Sequence, residues 1–263
     1  MPELPEVDDA ARRLRTATVG RTLVRVTALH PSQRRSLTAV AATSLAGRSV
    51  VAVVRRAKLQ LVEFDSGHTL EVHFRMNGDW AMSLQADQPP RHERVRFDFS
   101  DGTRVSLVDS RALSVLTVHQ PGRLALPAYG PEPLDDAWTA ELFRVALSTR
   151  RGPIKPVLLD QRVVAGLGNI YAAESVWEAR IDPRTPANTL SKARVLRLHE
   201  AIRTVLERAP AGRYYATEDA RSSAEDDAWR VYGKEGEPCR RCGRAIKRLV
   251  QAGRSTFWCR CQR

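Results

Sequence analysis

Apolar positions in the first half of the chain fall in short runs of strand character. RTLVRVTAL, RSVVAVVRRAKLQLVEF, TLEVHF, ERVRFDF and TRVSLV are rich in Val, Leu, Thr and Phe, the side chains that suit a pleated, half-buried surface. Asp65-Ser66-Gly67 and Asp101-Gly102 separate several of them and read as hairpin loops. Several strands at this spacing predict a β-sandwich or barrel. Ahead of them, Val7 to Thr18 reads as a helix with Val7, Ala11 and Leu14 on one face.

The pattern changes after residue 120. PGRLALPAYGPEPL carries four prolines and two glycines and reads as a linker at 121–134. Helical spacing follows at Asp136 to Ser148, Ile154 to Asp160, Asn169 to Ala179 and Leu190 to Glu207, with Ser191 placed to cap the last. Residues 210–230 have no clear period, include the acidic run Glu225-Asp226-Asp227, and are expected to form a mobile loop. No internal repeat is visible.

Charge narrows the function classes. Among 263 residues, 42 Lys and Arg against 30 Asp and Glu leave a formal charge of +12, which points to a polyanionic partner, with a generically basic soluble protein as an equal alternative on charge alone. No stretch approaches the roughly 18 apolar residues of a membrane span. The opening MPELPEVDDAARRL has acids where a signal peptide carries a basic and then an apolar run, so a cytoplasmic location is expected.

All four cysteines lie between Cys239 and Cys261. Cys239-x2-Cys242 and Cys259-x-Cys261 can place four thiolates around one tetrahedral Zn2+. The plain alternative is four free thiols packing a small core. The segment between the pairs reads as a β-hairpin turning at Ala252-Gly253. From Cys239 onward there are eight Arg or Lys and no acid, a composition suited to phosphates, with a merely solvated tail as the alternative.

Ala165-Gly166-Leu167-Gly168-Asn169 opens a helix, where unpaired amides and the dipole favour an anion and Asn169 is placed to cap the helix or to donate to a phosphate, though many helices start after Gly. The preceding segment reads as helix, which excludes a dinucleotide fingerprint. At the start of the chain, Pro2 becomes a secondary amine once Met1 is removed. With an α-amino pKa near 8, part of it is unprotonated at neutral pH, and it can attack a sugar aldehyde carbon to form an iminium. Glu3 and Glu6 stand beside it as proton carriers. The alternative is an N-terminus that frays.

Together these segments resemble the formamidopyrimidine-DNA glycosylase family, related to endonuclease VIII, over essentially the whole chain. The similar stretches are MPELPEV, RRAKLQLVEF, HFRMNGDW, YGPEPL, LLDQRVVAGLGNIYAAESVW and VYGKEGEPCRRCG. Leu4 favours the formamidopyrimidine branch. The resemblance implies an α+β multidomain fold. An N-terminal β-sandwich catalytic domain with flanking helices would span 1–120, a linker 121–134, a helix–two-turn–helix domain 135–232 and a zinc β-hairpin 233–263. It implies a bifunctional glycosylase and abasic-site lyase acting on oxidised or ring-opened bases by β,δ-elimination. One structural Zn2+, damaged double-stranded DNA as partner, a monomer and a nucleoid-associated location complete the expectation.

The same resemblance assigns roles. Pro2 is the nucleophile and Glu3 the acid/base group. Glu6 lines the lesion pocket or holds the first helix, and Lys58, counted with the catalytic residues, contacts phosphate near the lesion and stabilises the developing charge. Met76, Arg111 and Leu113 occupy the gap left by the displaced base. Lys155, Asn169 and Arg254 grip phosphates, and the four cysteines hold zinc. Phosphate pinching and gap filling offset the few kcal/mol of flipping a base.

Four departures stand out. Asp109-Ser110-Arg111-Ala112-Leu113-Ser114 replaces Asp-Pro-Arg-Arg-Phe-Gly, so the wedge has no aromatic ring and opposite-base reading is expected to differ. RYYATEDARSSAEDDAWR (213–230) is shorter and more acidic than the family's lid, which argues against 8-oxoguanine as the best substrate. The last cysteine pair is C-x-C, requiring a tighter turn and putting metal affinity in question. Asp8-Asp9 replaces Glu-Thr, with no physical account. Two alternatives follow from these features. One is a protein that binds abasic or damaged DNA without excising a base. The other is a zinc-ribbon regulator, disfavoured because no major-groove recognition helix stands out.

Overall fold

The computed structural model describes residues 1–209 and 228–263. They form two units, Met1–Pro127 and the residues from Ala128 onward.

The first unit begins with helix α1 (Leu4–Thr18), whose Leu4, Val7, Ala10, Ala11 and Leu14 are buried. It starts three residues before the periodicity indicates, because Glu3 takes the cap position and Pro5, with its preset φ, sits in the first turn. Strand β1 (Thr22–Ala28) is followed by the short helices α2 (Pro31–Ser36) and α3 (Ala39–Ser44). Then come β2 (Arg48–Arg56), β3 (Leu59–Phe64), β4 (Thr69–His73), β5 (Asp79–Leu84), β6 (Glu93–Phe99), β7 (Thr103–Val108) and β8 (Val115–His119). The strand order is β5-β7-β6-β1-β2-β3-β4-β8, antiparallel throughout. β1 and β2 meet only at Thr22↔Ser49 and Leu23↔Arg48, so the order divides into two four-stranded halves. Their inner faces share one core: Val95, Phe97, Phe99 and Leu107 from one half, Val53, Val62, Leu70, Val72 and Leu116 from the other, with Ala10 and Leu14 of α1. This is the expected sandwich with flanking helices.

The long apolar run 48–64 is two strands broken at Ala57, whose φ of 53° makes the turn that carries Lys58. β5, β8, α2 and α3 are elements that the sequence pattern does not mark.

In the second unit, helix α4 (Ala140–Ser148) starts later than Asp136. Asp135 Oδ1 accepts the Ala137 N–H at 2.9 Å and holds a turn, and Thr139 Oγ1 accepts the Leu142 N–H to cap the helix. α5 (Ile154–Leu158), α6 (Asn169–Glu178) and α7 (Lys192–Glu207) follow, and Ser191 caps α7 through the Arg194 N–H at 3.4 Å. β9 (Lys247–Gln251) and β10 (Arg254–Trp258) pair as a hairpin. Ala252 and Gly253 both have positive φ, 48° and 71°, the conformation a two-residue turn needs to match strand twist. No helix among the described residues is long and apolar enough to cross a membrane. The expected acidic lid, 213–230, lies outside the described residues except for 228–230.

Candidate active site and nucleic-acid interface

Pro2 and Glu3 are buried at the start of α1. Glu6, one turn on, accepts the Glu3 N–H at Oε2, 2.8 Å away, so the acid serves as the helix cap partner. The terminal amine, here that of Met1, is held below the ordinary α-amino range. Burial is the main cause; Glu3 and Glu6 oppose it, and the charges of Lys58 and Arg111 reinforce it. The chain therefore gathers Glu3, Glu6, Lys58 and Arg111 within electrostatic reach of its N-terminus. Pro2 and Glu3 are packed into the fold, which disfavours the alternative of a frayed N-terminus.

His73, at the end of β4, belongs to the same neighbourhood and was not singled out from sequence. Its Nδ1 accepts the Arg75 N–H at 2.9 Å. Burial, then the charges of Arg75 and Lys58, push its pKa down to about 4. The ring is neutral at pH 7, and with Nδ1 accepting, its proton sits on Nε2. The signal available in the sequence was its place in HFRMNGDW, beside Met76.

The gap-filling candidates sit on two abutting loops. Met76 lies in the turn after β4, closed by Gly78 N–H donating to the Phe74 carbonyl at 3.2 Å. A Cβ on Gly78 would collide with the Ser114 hydroxyl and the Phe74 side chain, so glycine permits the approach of the two loops. Arg111 and Leu113 lie on the second loop, where the Asp109 carboxylate accepts the N–H groups of Arg111, Leu113 and Ser114 at 2.8–3.0 Å. Arg94 donates to the carbonyls of Asp109 and Ser110. Met76 and Leu113 are 36% and 42% exposed, so both apolar tips are reachable from solvent.

In the second unit Asn169 is the first residue of α6. Gly168 takes the cap position, which corrects the expectation that Asn169 caps the helix. Its side chain instead meets Lys155, whose Nζ donates to Asn169 Oδ1, while Asn169 Nδ2 donates to the Ser255 carbonyl at 3.0 Å. Lys155 is fully buried and reaches the Ser255 carbonyl at 3.4 Å. A buried lysine so engaged orients Asn169, in contrast to the exposed Arg254 beside the hairpin turn. Sequence reading also missed Glu174, which is buried and accepts the N–H groups of Arg230, Val231 and Tyr232 at 2.8–2.9 Å. It ties the chain entering the cysteine segment to α6.

The four cysteine sulfurs lie within 4.8 Å of one another, with Cys239 and Cys261 at 3.8 Å and Cys242 and Cys259 at 3.4 Å. Tetrahedral Zn–S bonds of about 2.3 Å place sulfurs about 3.8 Å apart. The set fits one structural zinc, and the short C-x-C spacing does not keep the sulfurs apart.

The chain matches three family models. They are the formamidopyrimidine-DNA glycosylase N-terminal domain over residues 1–116, the formamidopyrimidine-DNA glycosylase H2TH domain over 129–217, and the zinc finger found in FPG and IleRS over 236–263. Formamidopyrimidine-DNA glycosylases of Chloroflexus aggregans and Sphingopyxis alaskensis are each 41% identical. The first match covers 98% of this chain and 97% of the relative, the second 100% of both. A crystal structure of a Lactococcus lactis FPG mutant with Fapy-dG containing DNA matches with a TM-score of 0.88 at 30% identity. The Lactococcus lactis enzyme bound non-covalently to an AP site containing DNA gives 0.85 at 31%, and both matches cover 99% of each chain.

Proposed function

The chain belongs to the formamidopyrimidine-DNA glycosylase family of base-excision-repair glycosylases with abasic-site lyase activity, and we propose that Pro2, freed by removal of Met1, is its nucleophile. The observation that carries this is geometric: Pro2 and Glu3 are buried at the start of α1, with the chain terminus within electrostatic reach of Glu6, Lys58 and Arg111. A secondary amine with an ordinary α-amino pKa near 8 is partly unprotonated at neutral pH, as nucleophilic catalysis by an amine requires.

The Pro2 nitrogen bonds to C1′ of the damaged nucleotide as the glycosidic bond breaks and the base leaves protonated. Glu3 gives a proton to the ring oxygen as the sugar opens to an iminium. The iminium draws electrons, so loss of a C2′ proton breaks the C3′–O bond, and loss of a C4′ proton then breaks the C5′–O bond. Water returns the free amine. No redox partner is needed.

Lys58 and neutral His73 supply a charge and an N–H donor for phosphate beside the lesion. Glu6 holds the start of α1 and so fixes Pro2. Met76, Arg111 and Leu113 fill the gap left by the flipped nucleotide. Asn169, oriented by Lys155, and Arg254 take further phosphates. Zinc, bound by Cys239, Cys242, Cys259 and Cys261, holds the hairpin and takes no part in the chemistry. The substrates are oxidised or ring-opened bases in duplex DNA, met by a monomer in the nucleoid.

Borohydride trapping on an abasic duplex tests the nucleophile. A covalent band for the zinc-loaded, Met1-processed protein, lost in Pro2→Gly, is expected. No band with the processed protein overturns the lyase mechanism and favours damage binding without excision.

A further inference from the structure

Gln33, on the short helix α2, is 0% exposed. Its Nε2 donates to two backbone carbonyls of the gap-filling loop, Ala112 at 3.3 Å and Ser114 at 2.9 Å. Two carbonyls facing one atom demand a donor, which fixes the orientation of the amide. Its Oε1 is buried without a hydrogen-bond partner. A buried polar side chain left half satisfied is unfavourable, so its retention calls for a return elsewhere.

The loop it holds is itself unusual. Ala112 has φ 52° and is buried; an L residue adopts that left-handed region unfavourably unless its surroundings impose it. The Asp109 carboxylate braces the loop from within. The Ser114 hydroxyl lies 3.0 Å from the Phe74 carbonyl and so reaches the Met76 turn. Gln33 braces it from beneath, on either side of Leu113. Arg111 can distinguish the edges of an opposing base only if its planar donors are aimed. Leu113 has no ring to stack on a base and cannot set that aim.

We propose that Gln33 is a positioning residue for recognition of the base opposite the lesion, holding Arg111 and Leu113 in register through Ala112 and Ser114. This rests on the reading that Arg111 and Leu113 enter the gap. The specificity of this chain at the opposite base thus depends on a residue that touches no DNA.

The test uses Gln33→Leu and the unbranched Gln33→Met, with Arg111→Ala alongside, in the zinc-loaded full chain. Strand cleavage is measured on a single-stranded abasic oligonucleotide and on four duplexes differing only in the base opposite the abasic site. Single-stranded DNA has no opposite base, so cleavage there is expected to stay at the wild-type rate. On the duplexes, kcat/KM is expected to fall roughly tenfold for the base wild type prefers, as a slight misplacement would produce, and the spread among the four bases to collapse. Equal losses on single-stranded and duplex DNA would mark a general structural role and overturn the proposal. A wild-type spread in both Gln33 variants, with the spread collapsed in Arg111→Ala, would overturn it while sparing the gap-filling reading. A spread unchanged in Arg111→Ala, or absent in wild type, would overturn both.

Discussion

The side-chain oxygen of Gln262 accepts the backbone N–H of Cys259 at 2.7 Å. Its Nε2 donates to the Ile181 carbonyl at 2.9 Å, and its own N–H donates to the Cys259 carbonyl at 3.0 Å. One residue separates Cys259 from Cys261, so the turn that aims both sulfurs inward is tight, and Gln262 satisfies the buried N–H that such a turn leaves over. Gln262→Ala removes that acceptor at a cost of about 1–3 kcal/mol. Zinc affinity, followed by chelator competition, is expected to fall roughly tenfold or more. Unchanged zinc retention would show that the sulfurs alone hold the turn.

His73 makes stability depend on pH in a definite direction. Its pKa in the folded chain is about 4, against 6.5 for an ordinary histidine. Between these values the unfolded chain binds the proton and the folded one does not, so stability falls as pH drops from about 6.5 to 4 and is unaffected by this group below that. His73→Asn keeps an acceptor for the Arg75 N–H and does not titrate. Urea unfolding across this range is expected to show a shallower acid loss for the variant. Identical slopes would mean that His73 charges freely in the folded state.

These residues show where sequence reading ended. The β6 and β7 strands were legible to the residue, because both are runs of strand-forming residues and the Asp101-Gly102 turn separates them. The cysteine cluster and the Ala252-Gly253 turn were legible for the same reason: local spacing dictates local geometry. Pro2 was legible as a candidate amine behind Met1, while Lys58, Met76 and Arg111 came from resemblance, since nothing in their own neighbourhoods sets them apart from ordinary side chains. Gln33, His73, Glu174 and Gln262 were not legible. Gln33, Glu174 and Gln262 act on backbone groups that folding places beside them, 79 to 81 residues away for Gln33 and 56 to 58 for Glu174, whereas His73 bonds locally to Arg75 and owes its low pKa chiefly to burial by the fold.

Glu174 is the most heavily engaged of them. Oε1 accepts from Val231 and Tyr232 and Oε2 from Arg230. Glu174→Gln turns one acceptor into a donor facing at least one of those N–H groups, costing about 1–3 kcal/mol. Amide exchange at Arg230, Val231 and Tyr232 is expected to speed up by roughly five- to 150-fold, the factor that about 1–3 kcal/mol converts to, with the amides of α1 unchanged as an internal reference. Unchanged exchange at all three would show that the segment is held by other contacts, such as the packing of Tyr232 against Phe257 at 5.3 Å between centroids.

Lys155 and Arg254 are both cations assigned to the DNA grip, and their surroundings separate their roles. Lys155 is fully buried with its ammonium on Asn169 and the Ser255 carbonyl, whereas Arg254 is exposed. A cation that meets phosphate releases a counterion and steepens the salt dependence of binding; a buried one that only orients a neighbour does not. Binding to a non-cleavable abasic duplex, measured over a range of salt, therefore distinguishes them. Arg254→Ala is expected to weaken binding and to reduce the slope of log K against log salt by about 1. Lys155→Met is expected to weaken binding roughly tenfold, about 1.4 kcal/mol, at every salt concentration, with the wild-type slope. A slope reduced as much as in Arg254→Ala would mean that Lys155 leaves Asn169 and reaches a phosphate itself when DNA binds.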